Sequence, residues 1–382
     1  MPDMPAGVTL LTDPAPALLA REKPPCASIY LPTGGPREER RDRALFEALA
    51  NEAREKIERQ SERRERGRLD ELLDLASAHL GALRSGLAES GLAVLAASDR
   101  AYACRLDRPV GPLAFTGERF LTRPLLGALR PGARYLLLAL SADRFSLIEG
   151  DARSLERMEV PAPARDARRT ASGGPSFDGH QSAYHGWKSS NDVRKEEAEA
   201  FFRSVNQEAT ALLSRDGGPR LPVILVSLPE HQGMFRRIST VPGLLEEGIE
   251  KNPDGVGEPE LLADAAAVMG RVAQAHAERL LDAYGQAVGT GGASSSPYAV
   301  GMALAERKVR ALLLAEGAYV PGAFDERTGE VRLFERRPHD RFQGPELADA
   351  LSRAALAQGA EVLELPAEQV PGESGIAALF RY

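Results

Sequence analysis

A chain of 382 residues, 43% hydrophobic and 27% charged, holds enough apolar material for two to four packed cores at roughly 100–200 residues per domain. Its net charge of −7 excludes one large basic surface of the kind that coats nucleic acid, although local basic faces stay open within an acidic total. No stretch approaches the roughly 18 consecutive apolar residues of a membrane span, the only cysteines are Cys26 and Cys104, and Met1–Leu10 lacks a basic flank and a sustained apolar run, so the expectation is a cytoplasmic protein without a membrane partner.

In chain order, Cys26–Pro32 is a β-prone run ended by Pro32, Gly34 and Gly35, which favour a turn. From Arg37 to Arg68 the chain is dense in Arg and Glu, with Leu45, Phe46, Leu49, Ala53 and Ile57 at helical spacing. Opposite charges four apart, as at Glu55/Arg59 and Glu62/Arg66, satisfy much of that charge along a solvated helix. The competing use is RNA contact by Arg40, Arg41 and Arg43 at the helix start, where basic side chains neutralise phosphates. Leu69–Leu87 reads as a second helix and Gly91–Ala97 as a buried strand.

A second domain begins near Arg134: Tyr135–Leu140 is a continuous apolar strand, Phe145–Ile148 pairs with it as a hairpin, and Leu155–Val160 reads as a third strand. Pro161 and Pro163 then break the ladder and open a long irregular stretch, Pro161–Asn191, that starts basic with Arg165, Arg168 and Arg169. Compact domains rarely keep so long a structureless segment unless it acts on something or is disordered. Asn191 or Asp192 caps a helix with the stripe Ala198, Phe201, Phe202, Val205, Ala209 and Leu212. Val223–Leu228 is another buried strand, and Pro259–Ala287 a long connecting helix.

Gly289–Pro297 is rich in small residues and reads as a domain linker; no strand before it and no Lys-Ser or Lys-Thr pair after it supports a phosphate cradle. Beyond it, helices at Tyr298–Lys308 and Glu346–Gln358 alternate with strands at Val309–Ala315, Glu361–Leu365 and Ile376–Phe380, which predicts a layered α/β domain. The expected architecture is therefore α/β with three mixed domains: 1–131, 132–287 carrying the 161–191 loop and the long helix, and 288–382.

Three segments resemble one family along nearly the whole chain. Ala27-Ser28-Ile29-Tyr30-Leu31-Pro32 is similar to its first strand, Gly179-His180-Gln181-Ser182-Ala183 to its Gly-Gly-Gln loop, and Gly375–Tyr382 to its terminal Gly-Ile-Ala-Ala-hydrophobic-Arg-Tyr segment. The order of elements looks like class-one peptide-chain release factors of the archaeal and eukaryotic type and Pelota, and most like their bacterial relatives. That resemblance implies a three-domain release-factor-like architecture and a partner in the ribosome, with ribosomal RNA, tRNA and a translational GTPase such as elongation factor Tu in contact. It implies no cofactor.

In the family mechanism the glutamine backbone N–H meets negative charge on the ester carbonyl of peptidyl-tRNA, and the glycines permit close approach. Gly179, His180 and Gln181 are the catalytic candidates on that resemblance. His180 occupies the second glycine position, where a side chain restricts positive φ and adds bulk, which counts against hydrolysis. The alternative register Gly173-Gly174-Pro175 keeps both glycines but ends on a residue with no N–H. The family's Asn-Ile-Lys-Ser decoding loop is replaced by Gly34–Arg40, so codon reading is not expected, and action in the A site of stalled or idle ribosomes is.

Within the loop, Tyr184, His185 and Trp187 beside Lys188 either stack on bases or anchor the loop to its domain. Asp178, His180 and His185 also admit a metal or general-base reading, although no helical spacing holds two ligands on one face. Two other functions compete: a hydrolase of a small ester or nucleotide using the same loop, and a non-catalytic protein-binding adaptor.

Overall fold

The computed structural model describes residues 7–11, 22–58, 63–84, 90–106, 110–129, 133–159, 190–214, 221–335 and 345–381. The fold is mixed α/β and divides into two compact units, one made of Met1–Arg130 with His276–Tyr382, the other of Pro131–Ala275.

The N-terminal part of the first unit contains β1 (Val8–Leu11), β2 (Cys26–Thr33), α1 (Glu39–Glu58), α2 (Arg63–Ala78), α3 (Leu80–Leu83), β3 (Ser90–Ala96), β4 (Ala101–Leu106) and β5 (Leu113–Gly117). The strands form one sheet in the order β1-β4-β3-β2-β5. Residues alternate between its faces: Ala27, Ile29, Leu31, Leu92 and Val94 meet α1 and α2 through Phe46, Leu49, Leu69 and Leu73. Cys26, Tyr30, Ala93 and Leu95 point the other way, onto Phe120 and Leu125. The expected helix over Leu69–Leu87 is two pieces, because the chain bends at His79 before α3.

The second unit holds β6 (Tyr135–Leu140), β7 (Phe145–Gly150), β8 (Leu155–Arg157), α4 (Ser190–Ser214), β9 (Val223–Val226), α5 (Pro229–Ile238) and the first half of α6 (Glu258–Val288). Its sheet order is β8-β7-β6-β9, with β6 antiparallel to β7 and parallel to β9. The unbroken apolar run of β6 follows from burial on both faces. Leu136, Leu138 and Leu140 pack with Phe201, Phe202 and Phe235 of α4 and α5, whereas Tyr135, Leu137 and Ala139 pack with Leu261, Ala265 and Val268 of α6. The expected hairpin is present; β8 is three residues long, not six, and α5 is an element the periodicity did not bring out.

The C-terminal part of the first unit continues with β10 (Ala293–Ser294), α7 (Pro297–Ala305), β11 (Val309–Ala315), β12 (Gly322–Phe324), β13 (Val331–Leu333), α8 (Leu347–Ala357), β14 (Glu361–Leu365) and β15 (Ile376–Phe380). The sheet runs β10-β15-β11-β14, and β12 and β13 form a separate hairpin. One face meets α7 and α8, the other the end of α6 through Ala277, Leu280 and Tyr284. The stretch read as a linker contributes β10, whose Ala293 and Ser294 pair with Leu379 and Ala378.

Inside the first unit, the segment after β5 ties the N-terminal sheet to the C-terminal one. Buried Asp349 accepts from Thr122 N (2.6 Å), Thr122 Oγ1 (3.0 Å) and Arg123 N (2.7 Å). Arg123 donates to the carbonyls of Ala315 and Ala318 and pairs with Glu364 (3.2 Å) and Glu346 (3.5 Å). Arg353 makes a bidentate pair with Glu22 at 2.7 and 3.1 Å.

Candidate functional site

The loop that carries the family-like motif leaves from β8, at the edge of its sheet, and returns on α4. The two attachment points lie on one sheet but in different clusters: Leu155 of β8 packs partly against the Leu137–Leu261 side, and α4 packs against the Leu138–Phe235 side. The ladder continues past β8 with Met158 N donating to Leu147 O at 2.9 Å. On the return side α4 is fixed by Phe201, Phe202, Val205 and Ala209, all essentially inaccessible. Phe202 lies edge-on to Phe235 at 6.2 Å and to His231 at 5.4 Å. Aromatic contacts of this kind hold the middle of α4 beyond what area burial alone supplies.

The loop itself, with Arg165, Arg168, Arg169, Gly179, His180, Gln181, Tyr184, His185, Trp187 and Lys188, lies outside the described residues, as do Asp178 and the alternative register Gly173-Gly174-Pro175. Among the described residues no cluster of His, Cys, Asp and Glu is arranged to hold a metal ion. Beside β8, Ile148, Leu155, Met158, Val256 and Leu261 line a cavity of about 680 Å³, with the Arg144–Asp254 ion pair (3.0 Å) at its rim. The recess is of mixed polarity, with Ser141, Ser146, Arg157 and Glu258 also in its wall.

The second candidate region, at the start of α1, is described in full. Pro36 opens a 3-10 turn that leads into the helix, and the Gly34–Gly35 turn ahead of it is clamped from beneath. Asp42 accepts from Gly34 N at 3.2 Å, while Arg84 Nη2 donates to Gly34 O (2.9 Å) and Gly35 O (3.0 Å) and lies 2.7 Å from Asp42 Oδ2. Both side chains are about nineteen-twentieths buried, at 6% and 5% exposed. Sequence reading missed this pair: Asp42 looks like any first-turn acid of a charged helix, and Arg84 lies far along the chain.

On that fixed turn Arg37 and Arg40 are exposed, and Arg41, 76% exposed, pairs with Glu38 at 3.0 Å. Arg43 is drawn inward, donating to Ser77 O at 3.2 Å and lying 3.8 Å from Glu39. The structure thus brings Arg37, Arg40 and Arg41 together as the outward cations and uses Arg43 to tie α1 to α2. Both cysteines are buried, and burial pushes the Cys26 thiol up to about 12, so it carries no thiolate chemistry near neutrality.

The described part of the terminal segment, Gly375–Arg381, has a packing role. Ile376, Ala377 and Ala378 are fully buried in β15, between β10 and β11, and Gly375 takes φ +68° with Ala315 Cβ 3.0 Å from where its own Cβ would stand. Arg381 closes the sheet end, donating to Val309 O (3.0 Å) and Gln358 O (3.1 Å).

Residues 132–277 match the family model described as bacterial archaeo-eukaryotic release factor family 8. The resemblance read from the sequence is thereby borne out over the segment that carries the loop. No curated protein matches the chain. Among solved structures, the archaeal translation termination factor aRF1 is similar at 18% identity, covering 96% of this chain and 95% of that one, with a TM-score of 0.24. Ribosome-bound archaeal Pelota is similar at 12% identity over 74% and 72% of the two chains, with a TM-score of 0.40. S. cerevisiae Dom34, a translation termination-like factor, is similar at 12% identity over 74% of each chain, with a TM-score of 0.39.

Proposed function

We propose that this protein is a ribosome-associated, release-factor-like factor that enters the A site of stalled or idle ribosomes and acts in rescue or hibernation. The observation that carries the reading is the family-model match over residues 132–277, the span that contains Gly179-His180-Gln181-Ser182-Ala183. The placement of β8 and α4 supports it, because the chain enters the loop from a strand of the sheet and leaves it on a helix whose middle is packed on that sheet.

In this reading Arg37, Arg40 and Arg41, on a turn locked by Asp42 and Arg84, contact RNA phosphates, and no codon is read. Arg165, Arg168, Arg169 and Lys188 follow ribosomal RNA, with tRNA adjacent, and Tyr184, His185 and Trp187 stack on bases or seat the loop. A translational GTPase such as elongation factor Tu is the delivery partner. The imidazole of His180, standing where the family has its second glycine, fills space that the ester and its attacking water need, so the factor occupies the site without releasing peptide.

Purified ribosomes provide the test. Co-sedimentation must weaken steeply with salt, because phosphate contacts release counterions. Ribosomes loaded with peptidyl-tRNA then separate occupancy from catalysis: wild type releases no peptide, and His180→Gly gains release. Peptide release by the wild type would overturn the non-catalytic assignment, and failure to co-sediment at any salt concentration would overturn the ribosomal one.

A further inference from the structure

The C-terminal part of the chain, 276–382, is acidic, with eleven Lys and Arg against fifteen Asp and Glu. Four of those cations, Arg307, Lys308, Arg310 and Arg381, nevertheless meet at one end of its sheet, where α7 hands over to β11 and β15 finishes. Arg381 N donates to Lys308 O at 2.7 Å, which fixes the two chain segments side by side. All four residues are exposed.

Two backbone irregularities place the arginines. Arg307 follows the cap of α7: its N–H donates to Leu304 O (3.0 Å) and Lys308 N to Ala303 O (2.8 Å), the paired bonds of a helix ending that calls for a left-handed residue. Glycine suits that position, yet arginine stands there at φ +58°, the one non-glycine residue with positive φ among the described residues. Further on, the register of β11 against β15 passes from Val309↔Phe380 to Ala311↔Leu379, so Arg310 is an extra residue without a partner on β15. A bulge of this kind re-aims the side chain it carries. Unfavourable backbone conformations persist where the surroundings over-determine them, and they gather at functional positions.

Charge sets the chemistry of the partner. Glu306 is taken by Lys308 at 2.6 Å, and Glu361, in register with Ala311, is held by His276. Arg381 is steadied by Val309 O (3.0 Å) and Gln358 O (3.1 Å), carbonyls that leave its positive charge unneutralised. Arg307 and Arg310 have no ion pair among the described residues. The surplus at this end is therefore cationic. β11 and β15 are inner strands of their sheet, so a peptide finds no free edge on them. Guanidinium groups held on fixed backbone suit the closely spaced anions of a nucleic-acid backbone. We propose that Arg307, Arg310 and Arg381 form a second contact to RNA phosphates, made by residues other than those at the start of α1. The identity of that RNA as ribosomal rests on the reading above.

The full-length protein is tested with two probes, purified ribosomes and a short labelled RNA hairpin. Arg307→Gly combined with Arg310→Gln weakens hairpin binding about tenfold and lowers the salt slope on either probe by about two, one for each phosphate contact. Arg307→Lys with Arg310→Lys keeps the charge and retains binding. Because glycine is the residue that position 307 prefers, the thermal midpoint of the first double variant does not fall. Hairpin affinity and salt slope equal to those of the wild type, a lowered midpoint, or tighter binding of a polyglutamate peptide than of the hairpin each overturns the proposal. Hairpin binding that depends on these arginines, with no sedimentation on ribosomes, upholds the phosphate contact and removes the ribosomal reading. Sedimentation with an unchanged slope in the variant does the reverse.

Discussion

At the scale of single residues, two buried carboxylates do opposite work. Asp42 is matched by Arg84 beneath the Gly34–Gly35 turn, and removing one partner of a buried pair strands the other charge at a cost of about 3–5 kcal/mol. Asp42→Ala is therefore expected to lower the urea midpoint sharply, whereas Arg40→Ala, at an exposed position, leaves it within about 0.5 kcal/mol and instead reduces the salt slope of ribosome co-sedimentation by about one. Glu346 is the contrasting case: desolvation raises its carboxyl to about 7 despite Arg123 nearby. Between about pH 4.5 and 7 the folded state binds a proton that the unfolded chain has lost, so stability falls as pH rises through this window, by an amount on the order of a few kcal/mol. Urea unfolding at pH 5 and pH 7 checks this, because Glu346→Gln, which cannot ionise, should lose that part of the pH slope.

At the scale of elements, the strands and helices follow from patterns that can be read without coordinates. The runs Tyr135–Leu140 and Val223–Val226 are apolar throughout because both faces of their sheet are covered, and the stripe at Phe201, Phe202, Val205 and Ala209 is the core face of α4. Phe202→Ala is accordingly expected to cost about 3–5 kcal/mol in the second unit, visible as a lower thermal midpoint and as faster amide exchange in β6 and β9. Short or half-polar pieces were not legible. β12 and β13 are three residues each and are joined by the Asp325–Glu330 turn, and β10 is two residues that pair with β15 and bury Ala293 against α6. The pairing of Ala293 and Ser294 within Gly289–Pro297 was not legible for the same reason, since Gly, Ser and Thr give no periodicity while a neighbouring strand decides the pairing. Of the site, the family-like loop was visible as a motif, but the clamp that steadies the start of α1 depends on a residue more than forty positions away and leaves no local trace.

At the scale of the molecule, the first unit owes its integrity to contacts remote in sequence. Asp349 gathers three donors from Thr122 and Arg123, and Arg123 returns the link to Ala315, Ala318 and Glu364. Arg123→Ala should therefore loosen both sheets at once, with exchange rising together in β2 and β11; a change confined to β11 would mean that the two sheets are energetically separate. The same arrangement constrains the order of assembly. Pro131–Ala275 is one continuous stretch and can close on itself, but the other unit joins Met1–Arg130 to His276–Tyr382 across that whole insertion. Loop-closure entropy must be met before such distant pairings are rewarded, so they form late. On a chain emerging from the exit tunnel, the face that carries Tyr30 and Leu95 has Phe120 and Leu125 to cover it, and its outer side waits for Leu356 to arrive. That interval is when trigger-type chaperones have most to hold, and when overexpression most favours inclusion bodies.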